Sequence, residues 1–381
     1  MPPLEGTLVL DFSTLLPGPL ATLMLAEAGA EVVKIERPGR GDEMRTYVPR
    51  VGPDSINFQL LNRRKQSLEV DLKDPGAVAL LTPLMERADV LVEQFRPGVL
   101  DRLGLGYEAV RHINPRLVYC SITGWGQSGP KSAAAGHDLN FMAETGVLAL
   151  TAGADGAPVL PPVLAADIGG GSYPAVINIL LALRQRDRTG LGMHLDIAMC
   201  EGLFTFAYWA LGNGVAANAW PRSGKELLTG GSPRYQIYRT ADHRHVAAAP
   251  LEDKFWNNFC RIINLPQALR LPDALPNTVI AAVAALIASR TADDWCRAFE
   301  GQDVCCSIVL ELQEAIGDPH MAARRVFDQQ LLADGRILPA LPVPISPELR
   351  AKSSAARAPR LGEHRESARV PAQPTLTDRS N

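Results

Sequence analysis

A histidine and two carboxylates are the residues of this chain best suited to proton-transfer chemistry. His137 and Asp138 are adjacent in the stretch Gly136–Asn140, and Asp167 follows later, just before a run of three glycines. An imidazole titrates near neutral pH, and a carboxyl does so when burial raises its pKa. We therefore predict that His137 and Asp167 face each other across a substrate carbon. Asp138 is expected to be the N-cap of a helix that begins there.

The elements that must position these residues follow a strand–helix–strand pattern. Near-continuous apolar runs, typical of a sheet covered on both faces, predict strands at Thr7–Asp11, Glu31–Glu36, Ser67–Leu72, Asp89–Glu93 and Leu117–Ile122. Helical segments between them form βαβ units, so the strands should be parallel. The first part of the chain is therefore predicted to be an open α/β domain with a mostly parallel sheet.

The later part of the chain has a different texture and suggests a second, smaller α+β domain. We predict a large domain over residues 1–212, a linker over 213–232 and the small domain over 233–310. Residues 311–381 are expected to return to the large domain and to end in a tail rich in Ala, Arg, Pro and Ser. That tail has too little apolar content for its own core, so it either wraps a partner surface or is disordered.

Basic loops accompany three of the predicted strands. Arg37 follows the second strand, Arg96 follows the fourth, and Arg64–Gln66 precede the third. Open α/β sheets bind ligands at the carboxyl ends of their strands, and basic loops with Gly and Pro suit phosphate groups. There is no G-x-G-x-x-G after the first strand and no P-loop sequence, which tells against nicotinamide dinucleotide and P-loop sites.

Composition excludes several other classes of protein. The chain is 46% hydrophobic and 21% charged, with a formal net charge of −3, so neither nucleic acid nor an anionic membrane is an expected partner. Its six cysteines have no C-x-x-C spacing, which indicates reduced thiols in a cytoplasmic protein. No His/Asp/Glu cluster has metal-ligand spacing, and no run approaches the roughly 20 apolar residues of a membrane span. We expect neither a metal nor a membrane.

Several separate motifs then point to a family. They lie at Leu10–Pro19, Ala28–Pro38, Phe95–Gly98 and Leu103–Leu105. Together they resemble the family III CoA-transferases, a superfamily that also includes the 2-methylacyl-CoA racemases. The resemblance extends to about residue 330. It implies an interlocked homodimer, with each active site between the large domain of one chain and the small domain of the other.

The resemblance also implies residue roles. Gly136–Asn140 is similar to the racemase motif Gly-His-Asp-hydrophobic-Asn, which makes His137 one acid/base, Asp167 the other and Glu252 a third acid. Asp138 or Glu252 would hold the histidine tautomer. The residues that the resemblance places at the CoA moiety are Arg37, Arg64, Lys65, Gln66 and Arg96. Gly136 and Asn140, beside His137, are further candidates for binding it. No cofactor is implied beyond the CoA moiety of an acyl-CoA substrate.

The favoured function is racemisation of a 2-methyl-branched acyl-CoA in lipid metabolism, by two-base proton transfer through an enolate. The alternative is a CoA-transferase in which Asp167 attacks the thioester and forms an anhydride and then a thioester. The transferases have a longer glycine run in the small domain, whereas this chain has only Gly230-Gly231. A non-catalytic acyl-CoA-binding protein is disfavoured because both acid/base positions are occupied.

Overall fold

The computed structural model describes residues 1–151, 153, 156–351 and 355–364. They divide into two units, the first made of Met1–Met142, Val163–Thr205 and the chain from Ala323 on. The second unit is made of Ala143–Pro162 and Phe206–Ala322. It therefore contains the predicted linker and begins before it, and it continues beyond the predicted end at residue 310.

The strands and helices are numbered along the chain. The strands are β1 (Leu8–Asp11), β2 (Glu31–Glu36), β3 (Arg50–Val51), β4 (Asp54–Ser55), β5 (Gln66–Glu69), β6 (Val90–Glu93), β7 (Val118–Thr123), β8 (His194–Ala198), β9 (Gln236–Arg239), β10 (His245–Ala248), β11 (Cys306–Ile308), β12 (Gln330–Ala333), β13 (Arg336–Pro339) and β14 (Ala355–Ala356). The helices are α1 (Pro17–Glu27), α2 (Ile56–Asn62), α3 (Ala77–Arg87), α4 (Val99–Arg102), α5 (Tyr107–Ile113), α6 (Asp138–Glu144), α7 (Tyr173–Thr189), α8 (Met199–Leu203), α9 (Tyr208–Ala217), α10 (Asp253–Ile262), α11 (Pro276–Ile287), α12 (Ala292–Phe299), α13 (Leu312–Ile316) and α14 (Pro319–Ala323).

The first unit is built on a six-stranded parallel sheet in the order β5-β2-β1-β6-β7-β8. The predicted open α/β fold is confirmed. The order reverses at β1, which pairs with β2 on one side and with β6 on the other. In sheets of this kind the ligand crevice lies at that reversal, outside the carboxyl ends of the strands. The turns that follow β1 and β6 are therefore the turns that should line a site.

The core of this unit lies on both faces of the sheet. Every residue of α1 is buried, as expected for an apolar helix that is covered all round. The segment Ala165–Thr189 is the one helical stretch among the described residues that is long and apolar enough to cross a membrane. It includes α7, whose buried Ala175, Ile179 and Ala182 belong to a helix that contacts β7 and β8. A single stretch of this kind is equally typical of a core helix.

The second unit has an antiparallel sheet in the order β11-β10-β9. Its core contains the buried Trp256, Phe259 and Trp295, contributed by α10 and α12. Helix α12 is capped by Thr291, whose hydroxyl accepts the backbone N–H of Asp294. This unit is the predicted small α+β domain with an added edge strand, β11.

The described part of the tail runs along the first unit. Strand β14 pairs in parallel with β12, and the Arg64 backbone N–H donates to the Arg357 carbonyl at 3.0 Å. The Gly362 N–H donates to the Ser67 hydroxyl at 3.0 Å, beside β5. The tail thus packs on its own chain as far as residue 364. The expectation for residues 352–354 and 365–381 lies outside the described residues.

Candidate active site

The backbone of the His137 loop is closed by Asn140. The Asn140 side-chain oxygen Oδ1 accepts the backbone N–H of His137 at 3.0 Å. The backbone N–H of Asn140 donates in turn to the His137 carbonyl at 2.8 Å. These two bonds fix the chain immediately before α6, while the His137 side chain stays exposed. The imidazole can therefore reach a ligand from a rigid backbone.

The Asp138 side chain caps the helical segment that carries Asp167, whereas Asp138 itself is the first residue of α6. Its Oδ1 accepts the backbone N–H of Ala166 at 2.7 Å and that of Asp167 at 3.0 Å. Because only 6% of Asp138 is exposed, its carboxylate is held by groups inside the protein. Helix α6 begins at Asp138, as expected, and these two bonds go to the later segment. Asp138 instead ties the His137 loop to the segment that carries Asp167.

Asp167 lies in a π-helical segment, Ala165–Ser172, that continues directly into α7. Segments of this type are frequent at functional sites. A Cβ atom on Gly170 would lie 2.1 Å from the backbone oxygen of Met199, and one on Gly202 would lie 2.6 Å from the Gly170 Cα. The glycines therefore let this segment cross α8 at backbone contact, which sets the depth of Asp167.

His137 and Asp167 line the same cavity, whose volume is about 390 Å³. Its walls include the turn after β1, the turn after β6, the end of β7 and Met199. Gly136, Asn140 and Arg96 also face it. The cavity thus lies at the reversal of strand order. Five of the residues predicted to act on or bind a ligand are brought together here.

The electrostatics of the cavity favour proton transfer. Burial raises the pKa of Asp167, and the neighbouring Asp138 carboxylate raises it further, while His137 opposes the rise. The resulting pKa is about 6. A carboxyl group with a pKa near neutrality exchanges protons readily in both directions, as a general acid/base must. The arrangement can remove and return a proton.

A second cavity, of about 340 Å³, shares Phe95 with the first as a common wall. Arg37 lines it, as does Lys73, which sequence analysis missed. Lys73 could have been found, because it follows β5 just as Arg37 follows β2. Cationic side chains beside apolar ones, here Leu72 and Val99, suit a ligand that combines phosphate groups with a ring system. Four acids also line this cavity: Glu36, Asp42, Glu43 and Asp71.

Arg64, Lys65 and Gln66 are not brought to either cavity. They lie at the amino end of β5, because a loop that precedes a parallel strand lies at the edge opposite to the loops that follow such strands. The Arg64 Nε lies 3.2 Å from the Glu27 carboxylate, and Gln66 donates to Glu31 at 3.0 Å. These predicted CoA ligands are engaged in contacts within the first unit.

Lys65 is a buried structural cation. Its ammonium donates to the Asp11 carboxylate at 3.0 Å and to the Thr22 hydroxyl at 2.8 Å, and two further acceptors lie within 2.9 Å. The side chain is fully buried, and this burial lowers the pKa of Lys65 to about 8. A group so placed stabilises the ends of β1 and α1.

Glu252 belongs to the second unit. It is exposed and occupies the position before the first turn of α10. Its role as a third acid comes from the resemblance alone and stays a prediction.

Comparison with known proteins supplies the family. The model of the family described as CoA-transferase family III matches residues 4–365. The chain belongs to this family. It is 35% identical to the human alpha-methylacyl-CoA racemase, over 95% of this chain and 91% of that protein. It is 33% identical to the acetyl-CoA:oxalate CoA-transferase of Acetobacter aceti, over 90% of this chain and 89% of that protein.

A solved structure agrees with this assignment. The crystal structure of a CAIB/BAIF family protein from Brucella suis matches with a TM-score of 0.82 and 29% identity, over 96% of this chain and 98% of that one. Family III relatives thus include both racemases and transferases at similar identity, and similarity alone does not decide the reaction.

Proposed function

We propose that this family III protein is an acyl-CoA racemase that inverts the 2-methyl centre of a branched acyl-CoA. One of His137 and Asp167 removes the α-proton of the thioester, which leaves an enolate. The other donates a proton to the opposite face of the same carbon. The roles of the two residues are exchanged for the opposite enantiomer.

The observation that carries this proposal is that His137 and Asp167 line one cavity, with the pKa of Asp167 at about 6. At pH 7 about one in ten such carboxyl groups is protonated, so both states are accessible at little cost. Asp138 supports the pair because it accepts the Asp167 N–H and adds the negative charge that raises the Asp167 pKa.

The CoA moiety is assigned to the second cavity and to the turn between the two cavities. Arg37, Lys73 and Arg96 supply positive charge there, and Phe95 supplies an apolar wall. The reaction needs no cofactor beyond the CoA moiety of the substrate, and we propose a cytoplasmic enzyme.

A homodimer is part of the proposal. An apolar hollow of about 660 Å³ on the first unit has exposed Tyr173, Ile177, Leu180 and Leu349 on its walls. An apolar face of this kind is typical of a surface that a partner covers. A second copy of the chain is the occupant that the family resemblance implies.

A CoA-transferase is the second candidate, favoured by the 33% identity to the oxalate enzyme. It would use Asp167 as a nucleophile on the thioester carbonyl, with loss of the CoA thiolate and formation of a mixed anhydride. The thiolate would then open the anhydride to an aspartyl thioester. His137 has no evident task in that route.

The two reactions differ in one requirement: the transferase needs a free carboxylic acid to accept CoA, and the racemase does not. The protein is incubated with one enantiomer of a 2-methylacyl-CoA, with and without a free carboxylic acid, and inversion is followed by chiral chromatography. The proposal predicts inversion without an acceptor, reduced at least about a hundredfold by His137→Ala and unchanged by His112→Ala, which alters an exposed histidine outside the cavities. Acceptor-dependent CoA transfer without inversion, with hydroxylamine trapping at Asp167, would instead establish the transferase. CoA binding without either reaction would leave a binding protein.

A further inference from the structure

A buried carboxyl group outside the proposed proton relay lies at the carboxyl end of β6. Only 5% of Glu93 is exposed, and among the described residues it forms no ion pair. Its Oε2 accepts the backbone N–H of Phe95 at 2.7 Å, and the Ser121 hydroxyl also donates to it. A buried carboxylate without a cation is costly, so its position calls for an explanation.

The groups that face Glu93 come from several elements. Ser121 on β7 lies 2.9 Å from Nε2 of His194 on β8, and the His194 ring stacks on Tyr107 of α5 at 4.9 Å. A hydroxyl has one proton to donate. When Nε2 of His194 carries a proton and donates it to the Ser121 oxygen, the Ser121 hydroxyl can donate its own proton to Glu93, and all three groups are hydrogen-bonded. A polar hollow of about 40 Å³ adjoins this chain; its lining includes Arg96, Asp101, Tyr119 and Gln127.

The surroundings oppose the charge of Glu93. Burial is the largest cause, and the carboxylates of Asp101 and Asp196 add to it, while the hydrogen bonds from Ser121 and Phe95 act in the other direction. The net effect raises the pKa of Glu93 to about 7. Burial lowers the pKa of His194, against the opposing effect of the carboxylates of Asp196, Asp101 and Glu108, and so favours the neutral ring. The ionisation of Glu93 therefore changes within the physiological range.

Glu93 is hydrogen-bonded to a turn that lines both cavities. Residues 94–97 line the cavity of His137 and Asp167, and Phe95 also lines the second one. Next to the bond from Phe95, the Gln94 side-chain oxygen accepts the backbone N–H of Gly18 at 3.0 Å. The turn is thus held at its base by Glu93 and tied to α1 through Gln94. Arg96, the cation in this turn, lines both the site cavity and the hollow behind it.

We propose that Glu93 is a positioning residue that holds the turn 94–97 in the conformation that receives the CoA moiety, without contacting the ligand itself. The choice of ligand rests on the proposed function, whereas the holding of the turn does not. An ionised carboxylate accepts hydrogen bonds more strongly than a neutral acid does. Protonation of Glu93 as the pH falls through about 7 therefore loosens the turn and weakens ligand binding.

The test uses the full chain, with Glu93→Gln as the variant and Glu86→Gln, an exposed acid on α3, as its matched control. Hydrogen exchange of the peptide that carries Phe95, corrected for intrinsic rates, reports the turn without any ligand. Calorimetry with free CoA at pH 6, 7 and 8 reports the affinity. At pH 8 we expect Glu93→Gln to speed exchange and weaken CoA binding by about tenfold each, with a flatter pH dependence than the wild type.

Each result of these measurements either supports or overturns the role of Glu93. Unchanged exchange at Phe95 in a folded Glu93→Gln protein overturns the inference, as does a CoA affinity that keeps the wild-type value and pH dependence. If the wild type binds no CoA, the proposed function fails, while the exchange measurement still tests whether Glu93 holds the turn. If the variant does not fold, the wild type alone tests the proposal. Its hydrogen-exchange protection at Phe95, corrected for intrinsic rates, should then be lower at pH 6 than at pH 8. Equal protection at the two pH values would refute the proposed role of Glu93.

Discussion

Replacing Asp138 with asparagine is expected to move the acid limb of the pH–rate profile to lower pH. The pKa of Asp167 is raised from 3.8 to about 6, first by burial and then by the charge of Asp138. Asparagine keeps a side-chain oxygen that can accept the N–H groups of Ala166 and Asp167. Asp138→Asn therefore removes one negative charge while the segment stays capped.

The size of the effect is bounded by the structure. The full shift is about two pH units, and burial, its largest cause, remains in the variant. The acid limb should therefore move by about one unit and by less than two. This limb belongs to the His137–Asp167 pair as a whole, so the direction of its movement is the firm expectation.

The assay is the rate of inversion of a 2-methylacyl-CoA, measured as kcat/KM between pH 4 and pH 9. Asp187→Asn is the matched control, because it removes a carboxylate from an exposed position near the end of α7. The control should leave the limb in place. An unchanged limb in a folded Asp138→Asn protein, or a shift to higher pH, would refute the role assigned to the Asp138 charge.

Two further predictions concern stability. Lys65→Met removes the nearer cation from Asp11, so that Lys34, 4.0 Å away, and the hydrogen bonds from Ser13 and Thr22 remain. It should lower the free energy of unfolding by about 3 kcal/mol in a urea titration. Gly170→Ala forces a methyl group against the Met199 carbonyl and should cost about 1–3 kcal/mol in the same titration.

Their controls use other positions, Lys73 in the same unit and Gly212 in the second unit. Lys73→Met, in the second cavity, should weaken CoA binding and leave stability nearly unchanged, the reverse of the pattern for Lys65→Met. If the Lys65→Met protein had wild-type stability but had lost its affinity for CoA, Lys65 would be a CoA ligand, as the sequence analysis predicts. Gly212→Ala is the control for Gly170→Ala, because a methyl group added at Gly212 meets open space. Gly146→Ala would not serve, because Gly146 has a positive φ. Wild-type stability in Gly170→Ala would mean that the crossing with α8 is not tight.

Much of the first unit follows from its sequence because local patterns determine it. Near-continuous apolar runs correspond to β1, β2, β6 and β7. Less predictable is the stretch from Met199 to Ala217, which forms two helices, α8 and α9. Composition favours helix throughout that stretch, and the break between the two is not marked by glycine or proline.

The site was only partly predictable, because its groups meet through the sheet. Gly136–Asn140 and Asp167 were found, but the bond from the Asp167 backbone to Asp138 joins segments that no periodicity connects. Glu93, Ser121 and His194 are neighbours because β6, β7 and β8 are adjacent strands. The basic loop at Arg64–Gln66 precedes a parallel strand, and this position alone places it at the edge opposite to the turns that line the cavities.

The most direct test of the two-base account is the distribution of deuterium when one enantiomer of a 2-methylacyl-CoA is inverted in deuterated water. Product and remaining substrate are separated early in the reaction and analysed by mass spectrometry. If His137 and Asp167 act on opposite faces, the product carries one deuterium at the α-carbon, and the remaining substrate is still protiated. A product that retains the original proton would show one group carrying it between faces and would contradict the account, as would the absence of any exchange.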